Sequence, residues 1–328
     1  MRAVIVEELG APEVLLHREV TEPTPAPGQI TIDVSYAGIN FAEVKARAVG
    51  YRVTGLPFVP GIEVSGRVRS LGAGVTGLRI GQPVAALLDH GGYADVAVAS
   101  ADRTFAVPDG LDLRTAATLP TVLPTAYALI HHAGRLRAGE SVLVQGAAAG
   151  VGTVVGQVAR RAGAGKVYGV VSHPDKATYA LDFGYDEVFV GDDFDRQVAE
   201  ATDGHGVDLV LDPVGGETWR RSLASLAHYG RLISFGNASD AAPWSAGFAD
   251  LAPKALSVSA LSILGLAAGD AGRLRELTAE AFQLAAAGEV RLPVTAEFAL
   301  ADAADAHRLL ESRSSTGKLL LRVSGENG

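Results

Sequence analysis

The sequence predicts an α/β chain in which a compact, barrel-like β part is combined with a doubly wound parallel sheet. Three observations predict it. The first 120 residues read as short β segments broken by Gly and Pro. From Ser141 onward, β segments alternate with amphipathic helices. At the change of rhythm lies Ser141-Val-Leu-Val-Gln-Gly-Ala-Ala-Ala-Gly-Val-Gly152, a buried strand, a tight small-residue turn and the start of a helix.

In the first part, residues 3–7, 29–37, 62–71, 82–87 and 92–98 have strand character between turn residues, a spacing that favours a small barrel. Residues 40–49 read as a short helix inside it, and 119–134 as a helix linking the two parts. The second part then runs through strand 142–145, a helix to 162, strand 167–171, helix 176–183 and strand 187–190. Helix 194–202, strand 207–211, helix 217–227 and strand 231–235 continue it. Repeated βα units with right-handed crossovers build a parallel, doubly wound sheet. Strand 256–263 is expected to close that sheet at an apolar edge. Helices 273–287 and 301–313 follow, and strand 318–323 is expected to return to the first part. The expected division is 1–122, 123–265 and 266–328.

The turn carries the first chemical clue. A helix opening at such a turn presents unpaired N–H groups and the positive end of its dipole, which suits a pyrophosphate. Ala149, Gly150, Val151 and Gly152 are therefore expected to bind a dinucleotide. The match to G-x-G-x-x-G is partial: Ala147 and Ala149 stand where the first two glycines would be, and Gly152 holds the third. An ordinary strand–helix connection is the alternative for the turn taken alone.

Composition narrows the class. At 328 residues and 48% hydrophobic content, two cores of ordinary size are available. A formal net charge of −9 argues against nucleic acid or an anionic membrane as the main partner. The chain has no cysteine, which excludes disulfides and thiolate metal sites. No apolar run reaches the length of a membrane span, and Met1-Arg-Ala-Val-Ile-Val lacks the pattern of a signal peptide. A soluble cytoplasmic protein is expected. G-x-S-x-G is missing and no Ser-His-Asp grouping emerges, so a hydrolase is a poor fit.

A family resemblance rests on motifs spread along the whole chain. They are Gly38-Ile-Asn-Phe-Ala-Glu-Val-Lys-Ala-Arg47, Pro60-Gly-Ile-Glu-Val-Ser-Gly66, Gly91-Gly-Tyr-Ala94, Leu119-Pro and Thr125-Ala. Asp208-Leu-Val-Leu-Asp212, Val214-Gly215, Gly230-Arg231, Ser234-Phe-Gly-Asn237 and Thr316-Gly-Lys-Leu319 follow in order. The chain resembles the medium-chain dehydrogenase/reductase superfamily and, within it, the zinc-independent, zeta-crystallin-like quinone oxidoreductases. That resemblance implies a GroES-like β-barrel catalytic domain made from both chain ends, with a Rossmann domain inserted.

Two departures from the zinc alcohol dehydrogenases bear on chemistry. Those enzymes carry a metal-binding Cys near the position of Asn40 and a His at that of Ile62, and their cysteine-rich zinc loop has no counterpart here. The adjacent His131-His132 pair is a poor chelate, because successive helical residues point about 100° apart. Without a Lewis acid, oxidation of an unactivated alcohol is difficult. Hydride transfer to a quinone or an α,β-unsaturated carbonyl gives a delocalised anion that one or two hydrogen-bond donors can stabilise. An NADPH-dependent reductase of such acceptors, acting without metal, is the expectation.

NADPH is expected over NADH because the strand ending at Val171 lacks the carboxylate that binds a ribose 2′-OH. By resemblance, Ser172 and Lys176 contact the 2′-phosphate. Against this stand Asp175 beside Lys176, and Gly191 where NADPH-using relatives place a Tyr. The resemblance also sets Asn40 against the nicotinamide and substrate, as a catalytic donor and a cofactor ligand; a helix N-cap is the alternative. Tyr51 lines the substrate pocket by resemblance, either donating to the substrate oxygen or stacking on its ring. Thr125 and Phe235-Gly236-Asn237 border the nicotinamide, Lys45 replaces an aromatic residue, and Glu63 is structural. Two other functions stay open: a biosynthetic double-bond reductase acting on a larger enone, and a non-catalytic, crystallin-like nucleotide-binding protein. A homodimer pairing at the edge strand is expected by resemblance.

Overall fold

The computed structural model describes residues 1–239 and 241–323. It divides into two compact units, Met1–Pro124 with Leu266–Gly328, and Thr125–Gly265.

The first unit begins with β1 (Arg2–Val6) and β2 (Leu15–Glu19), an antiparallel pair. β3 (Gln29–Ile39) is its longest strand, and the helix Phe41–Val49 follows directly. β4 (Glu63–Leu71), β5 (Pro83–Leu87), β6 (Val96–Ser100) and β7 (Thr104–Ala106) complete the N-terminal contribution. β3 pairs antiparallel with both β4 and β6, and β4 with β5.

The second unit holds β8 (Ser141–Gln145), β9 (Lys166–Val171), β10 (Glu187–Val190), β11 (Val207–Asp212), β12 (Leu226–Ser234) and β13 (Ser257–Ala260). They form one six-stranded sheet in the order β10-β9-β8-β11-β12-β13, with every pairing parallel. The centre of β8, Val142-Leu143-Val144, is apolar on both faces because helices cover both sides of such a sheet. One covering helix, Gly150–Arg161, buries Val154, Val155, Val158 and Ala159 and turns its arginines outward.

The chain then returns to the first unit through the helix Ala271–Ala286, β14 (Val294–Ala299), the helix Ala303–Glu311 and β15 (Lys318–Arg322). β15 inserts between β14 and β3, parallel to the former and antiparallel to the latter. The core of this unit therefore draws on both chain ends: Ile30, Ile32, Val64 and Val84 pack with Leu300, Leu319 and Leu321. Burying a leucine or isoleucine of this kind contributes about 1.5–3 kcal/mol.

Several elements differ from expectation. Strand 256–263 shrinks to Ser-Val-Ser-Ala at β13, mostly exposed, and Ile263 opens a short helix instead. The linking helix is α-helical over Leu119–Ala128 and continues as a π turn over Leu129–Ala133. Helix 217–227 ends at Ala224, since Leu226 already starts β12. β2, β7 and β14 are additional strands. Among the described residues no helix is long and apolar enough to cross a membrane.

Candidate active site

In the parallel sheet, the strand order reverses between β8 and β11, and the crevice outside the carboxyl ends at such a point is where α/β sheets bind ligands. The turn leaving β8 lies there. Ala147 donates its N–H to Val170 O on β9 at 3.0 Å, and Ala149 donates to Gly146 O at 2.9 Å. Ala149 then takes an extended conformation (φ −80°, ψ 171°) as the N-cap of helix Gly150–Arg161, with no side chain capping it. The N–H groups of Gly150 and Val151 have no intrahelical acceptor in that first turn. Gly152 is held tightly: a Cβ there would stand 2.2 Å from Gly146 O and 2.8 Å from Ala147 Cα. The turn thus fits the pyrophosphate of a dinucleotide, and a side chain at 152 would collide with its backbone and force it open.

Ser172 and Lys176 follow β9, the neighbour of β8, at the same edge of the sheet. Ser172 is exposed and Lys176 half-buried. The Asp175 side chain is 88% exposed, with its carboxylate 3.2 Å from His173 Nδ1. Gly191 ends the row beyond β10 at φ 87°, and a Cβ there would meet only the Asp193 carboxylate, at 3.9 Å.

Phe235, Gly236 and Asn237 follow β12 at this edge too. Phe235 donates its N–H to Asp212 O, and Ala238 and Ser239 donate to Pro213 O and Val214 O, which ties the segment across the end of β11. Asn237 Nδ2 donates to Ala241 O at 2.8 Å and its Oδ1 accepts from the Ser239 hydroxyl. Asp212 is buried, which pushes its carboxyl up, and it folds the turn by accepting from the N–H groups of Val214 and Gly215. The fold therefore aligns residues 149–152, 172, 176 and 235–237 along one sheet edge. Thr125 is not on that row; it is buried in helix Leu119–Ala128.

In the other unit, Asn40 sits at the junction of β3 and helix Phe41–Val49. It holds the N-cap position, and Glu43 at N3 reaches back in capping-box fashion, its carboxylate accepting the Asn40 N–H at 3.0 Å. The Asn40 carboxamide also enters a polar cluster: Lys318 Nζ donates to Asn40 Oδ1 at 2.6 Å, and Asn40 Nδ2 donates to Glu63 Oε1 at 2.9 Å. A second, longer contact runs from Nδ2 to Glu43 Oε1 at 3.4 Å. Lys318 also donates to Glu63 Oε1 at 2.5 Å, and Glu63 Oε2 accepts the Thr121 N–H at 2.9 Å. The side chains of Lys318 and Glu63 are 3% and 0% exposed. Tyr51 lies past the end of this helix, 46% exposed. Lys45 lies 5.4 Å from the centre of the Phe41 ring, and burial beside Arg313 pulls its ammonium down.

Local sequence explains the cluster. Gly38 on β3 lies against Glu63, where a Cβ would come 2.2 Å from Oε1. In the antiparallel register Leu319 faces Ile39, so Lys318 comes opposite Asn40. Glu43 completes the set from one helical turn on, accepting the Ile62 N–H at 3.0 Å as well. Burial pushes the Glu43 carboxyl up to about 7; the Ile62 N–H and the Lys318 charge pull the other way, and Glu63 reinforces the rise.

These residues do not fit a zinc ion. Ile62 offers no donor, the chain has no thiolate, and the carboxylate of Glu63 is already taken by an ammonium and a backbone N–H. Glu43 and Lys318 escape sequence reasoning as site residues. The available signals were a Lys heading an apolar strand, Lys318-Leu-Leu-Leu, and an Asn–Glu pair at capping-box spacing.

Residues 26–109 match the alcohol dehydrogenase GroES-like domain and residues 183–321 the zinc-binding dehydrogenase family. A quinone oxidoreductase of Pseudomonas aeruginosa is 34% identical over 315 residues, covering 95% of this chain and 96% of that protein. A phenolphthiocerol/phthiocerol polyketide synthase of Mycobacterium tuberculosis is 35% identical over 97% of this chain, a match that occupies 14% of that protein. The structure of Escherichia coli quinone oxidoreductase complexed with NADPH aligns with a TM-score of 0.92 and 32% identity, over 98% of this chain and 100% of that one. With its split β unit, its inserted parallel sheet and near full-length identity of this order, the chain belongs to the medium-chain dehydrogenase/reductase superfamily, in the zeta-crystallin-like quinone oxidoreductase family.

Proposed function

We propose that the protein is an NADPH-dependent oxidoreductase that reduces quinones or α,β-unsaturated carbonyl compounds without a metal. The observation that carries the metal-free part is the Lys318–Glu63 pair: the acidic group at the site already holds a fixed cation. When bound, NADPH supplies the hydride. The protein's own residues hold and orient. The N–H groups at 149–152 receive the pyrophosphate, and Ser172 with Lys176 receives the 2′-phosphate. Thr125, Phe235, Gly236 and Asn237 border the nicotinamide. Asn40 orients cofactor and acceptor, and Tyr51 donates to the acceptor oxygen or stacks on its ring. The division of labour follows the expected domains, 1–122 and 266–328 for the acceptor and 123–265 for the nucleotide. The outer edge of β13 is the surface where a second copy would add to the sheet.

NADPH oxidation followed at 1,4-benzoquinone, naphthoquinones and linear enones, with and without a chelator, tests this reading. Turnover that survives the chelator is expected; loss of activity that zinc restores would refute it. Lys176→Ala is expected to raise the NADPH Michaelis constant about tenfold or more, the worth of a charge-assisted contact, while leaving NADH nearly unchanged. Equal effects on both cofactors would remove Lys176 from the phosphate site.

A second reading is favoured by the likeness to the polyketide synthase. The same hydride transfer would then serve a larger enone, and a long-chain enoyl thioester would outperform every quinone in the screen.

A further inference from the structure

Glu43 is unused in the proposal above, yet it is 1% exposed and bonded to Asn40, just after β3, and to Ile62, just before β4. One oxygen accepts the Asn40 N–H and the other the Ile62 N–H, so a single carboxylate ties the β3–helix junction to the start of β4, beside Glu63. The same oxygen that takes the Ile62 N–H also receives Asn40 Nδ2. All three partners are N–H donors. An ionised carboxylate accepts from all of them without competition; protonation turns one of its acceptor sites into an O–H donor and weakens the set, and a glutamine sets its NH2 against a donor.

We propose that Glu43 is a positioning residue, whose ionised carboxylate fixes the backbone and carboxamide of Asn40 and so makes hydride transfer depend on the ionisation of that one group. This rests on Asn40 serving cofactor or acceptor, as above. The groups facing Glu43 are Glu63 on β4, Lys318 on β15 and Tyr93 ahead of β6, with His307 of helix Ala303–Glu311 bonded to the Tyr93 hydroxyl at 3.1 Å. Arg47 lies on the same helix as Glu43. Burial raises the Glu43 carboxyl from 4.5 to about 7.

Stability has the opposite sign. Between 4.5 and about 7 the folded protein holds a proton that the unfolded chain has released. The contribution of Glu43 to stability is therefore full below 4.5 and lost as pH rises through about 7. His307, held by burial at about 3 instead of 6.5, slopes the other way between those values. Total stability thus conceals Glu43, and the difference between wild type and Glu43→Gln isolates it.

Two measurements decide. In the first, backbone amide resonances of Asn40 and Ile62 in the wild-type protein are followed from pH 5 to 9. A shared midpoint near neutrality is expected. Flat amides would overturn the proposal, whatever the variants do. In the second, single-turnover hydride transfer from NADPH to 1,4-benzoquinone is followed over the same range. The wild-type rate is expected to rise with pH through one ionisation, while Glu43→Gln stays about 10- to 100-fold lower and flat. Its melting temperature relative to wild type should rise between pH 5 and pH 8. Glu43→Asp should restore a pH limb. A limb unchanged in Glu43→Gln overturns the proposal. Asn40→Ala as fast as wild type, with the amides still titrating, overturns the assignment of Asn40 and the positioning role with it, leaving a purely structural clamp.

Discussion

Lys318→Met is expected to lower stability by about 3–5 kcal/mol, the cost of removing one partner from a buried ion pair. The side chain is nearly the same length, so packing changes little. What changes is that Glu63 keeps its burial and its contact with Asn40 but loses the ammonium at 2.5 Å, while Asn40 Oδ1 loses its donor at 2.6 Å. Denaturant unfolding at pH 8 gives the number. The double variant Glu63→Gln with Lys318→Met should recover much of the loss, because no uncompensated charge then stays buried. A single variant within 1 kcal/mol of wild type would mean that water reaches Glu63, against its burial (about 1 kcal/mol being the usual worth of an exposed pair).

The second large effect is expected at the nucleotide turn. Gly152→Ala should weaken NADPH binding about 5- to 150-fold, as overpacking by one methyl costs about 1–3 kcal/mol. The new Cβ meets backbone, Gly146 O at 2.2 Å and Ala147 Cα and O at 2.8 Å, and no side-chain rotation relieves that. The turn must open, and the N–H groups of 150 and 151 turn with it. Gly55→Ala is the matched control, since a Cβ there meets nothing within 4 Å. Fluorescence titration with NADPH measures both. An unchanged dissociation constant for Gly152→Ala would show that the turn adapts and that close packing is not its function.

The parallel sheet was legible because its signal is local. Each strand such as 142–145 or 207–211 is a short apolar run, each helix carries its own period, and the turn chemistry marks the joins. β13 and β14 were harder for the same reason: Ser-Val-Ser-Ala has little apolar content, and Val294–Ala299 has one alternating face next to a proline. The polar cluster left only two local signals, a Lys heading an apolar strand and an Asn–Glu pair at capping-box spacing, and neither reveals that the two meet. Glu63 read as structural and Lys318 as a family marker, since what joins them is the register of two strands whose contacting residues lie 255 positions apart. No propensity encodes that pairing. Asn40 holds the helix N-cap position, and weighing cap against ligand needs Glu43 in view, whose carboxylate reaches back to the Asn40 N–H.

The insertion of β15 between β14 and β3 also dictates the order in which a nascent chain can mature. Residues 125–265 are contiguous, so that unit can close while the ribosome is still adding the remainder. The N-terminal segment cannot: the Tyr36–Ile39 end of one flank of β3 stays open, and the apolar places of Leu319 and Leu321 stay vacant, until translation has passed residue 321. Until then Glu63 is without its lysine, and the oldest part of the polypeptide is the last to become native.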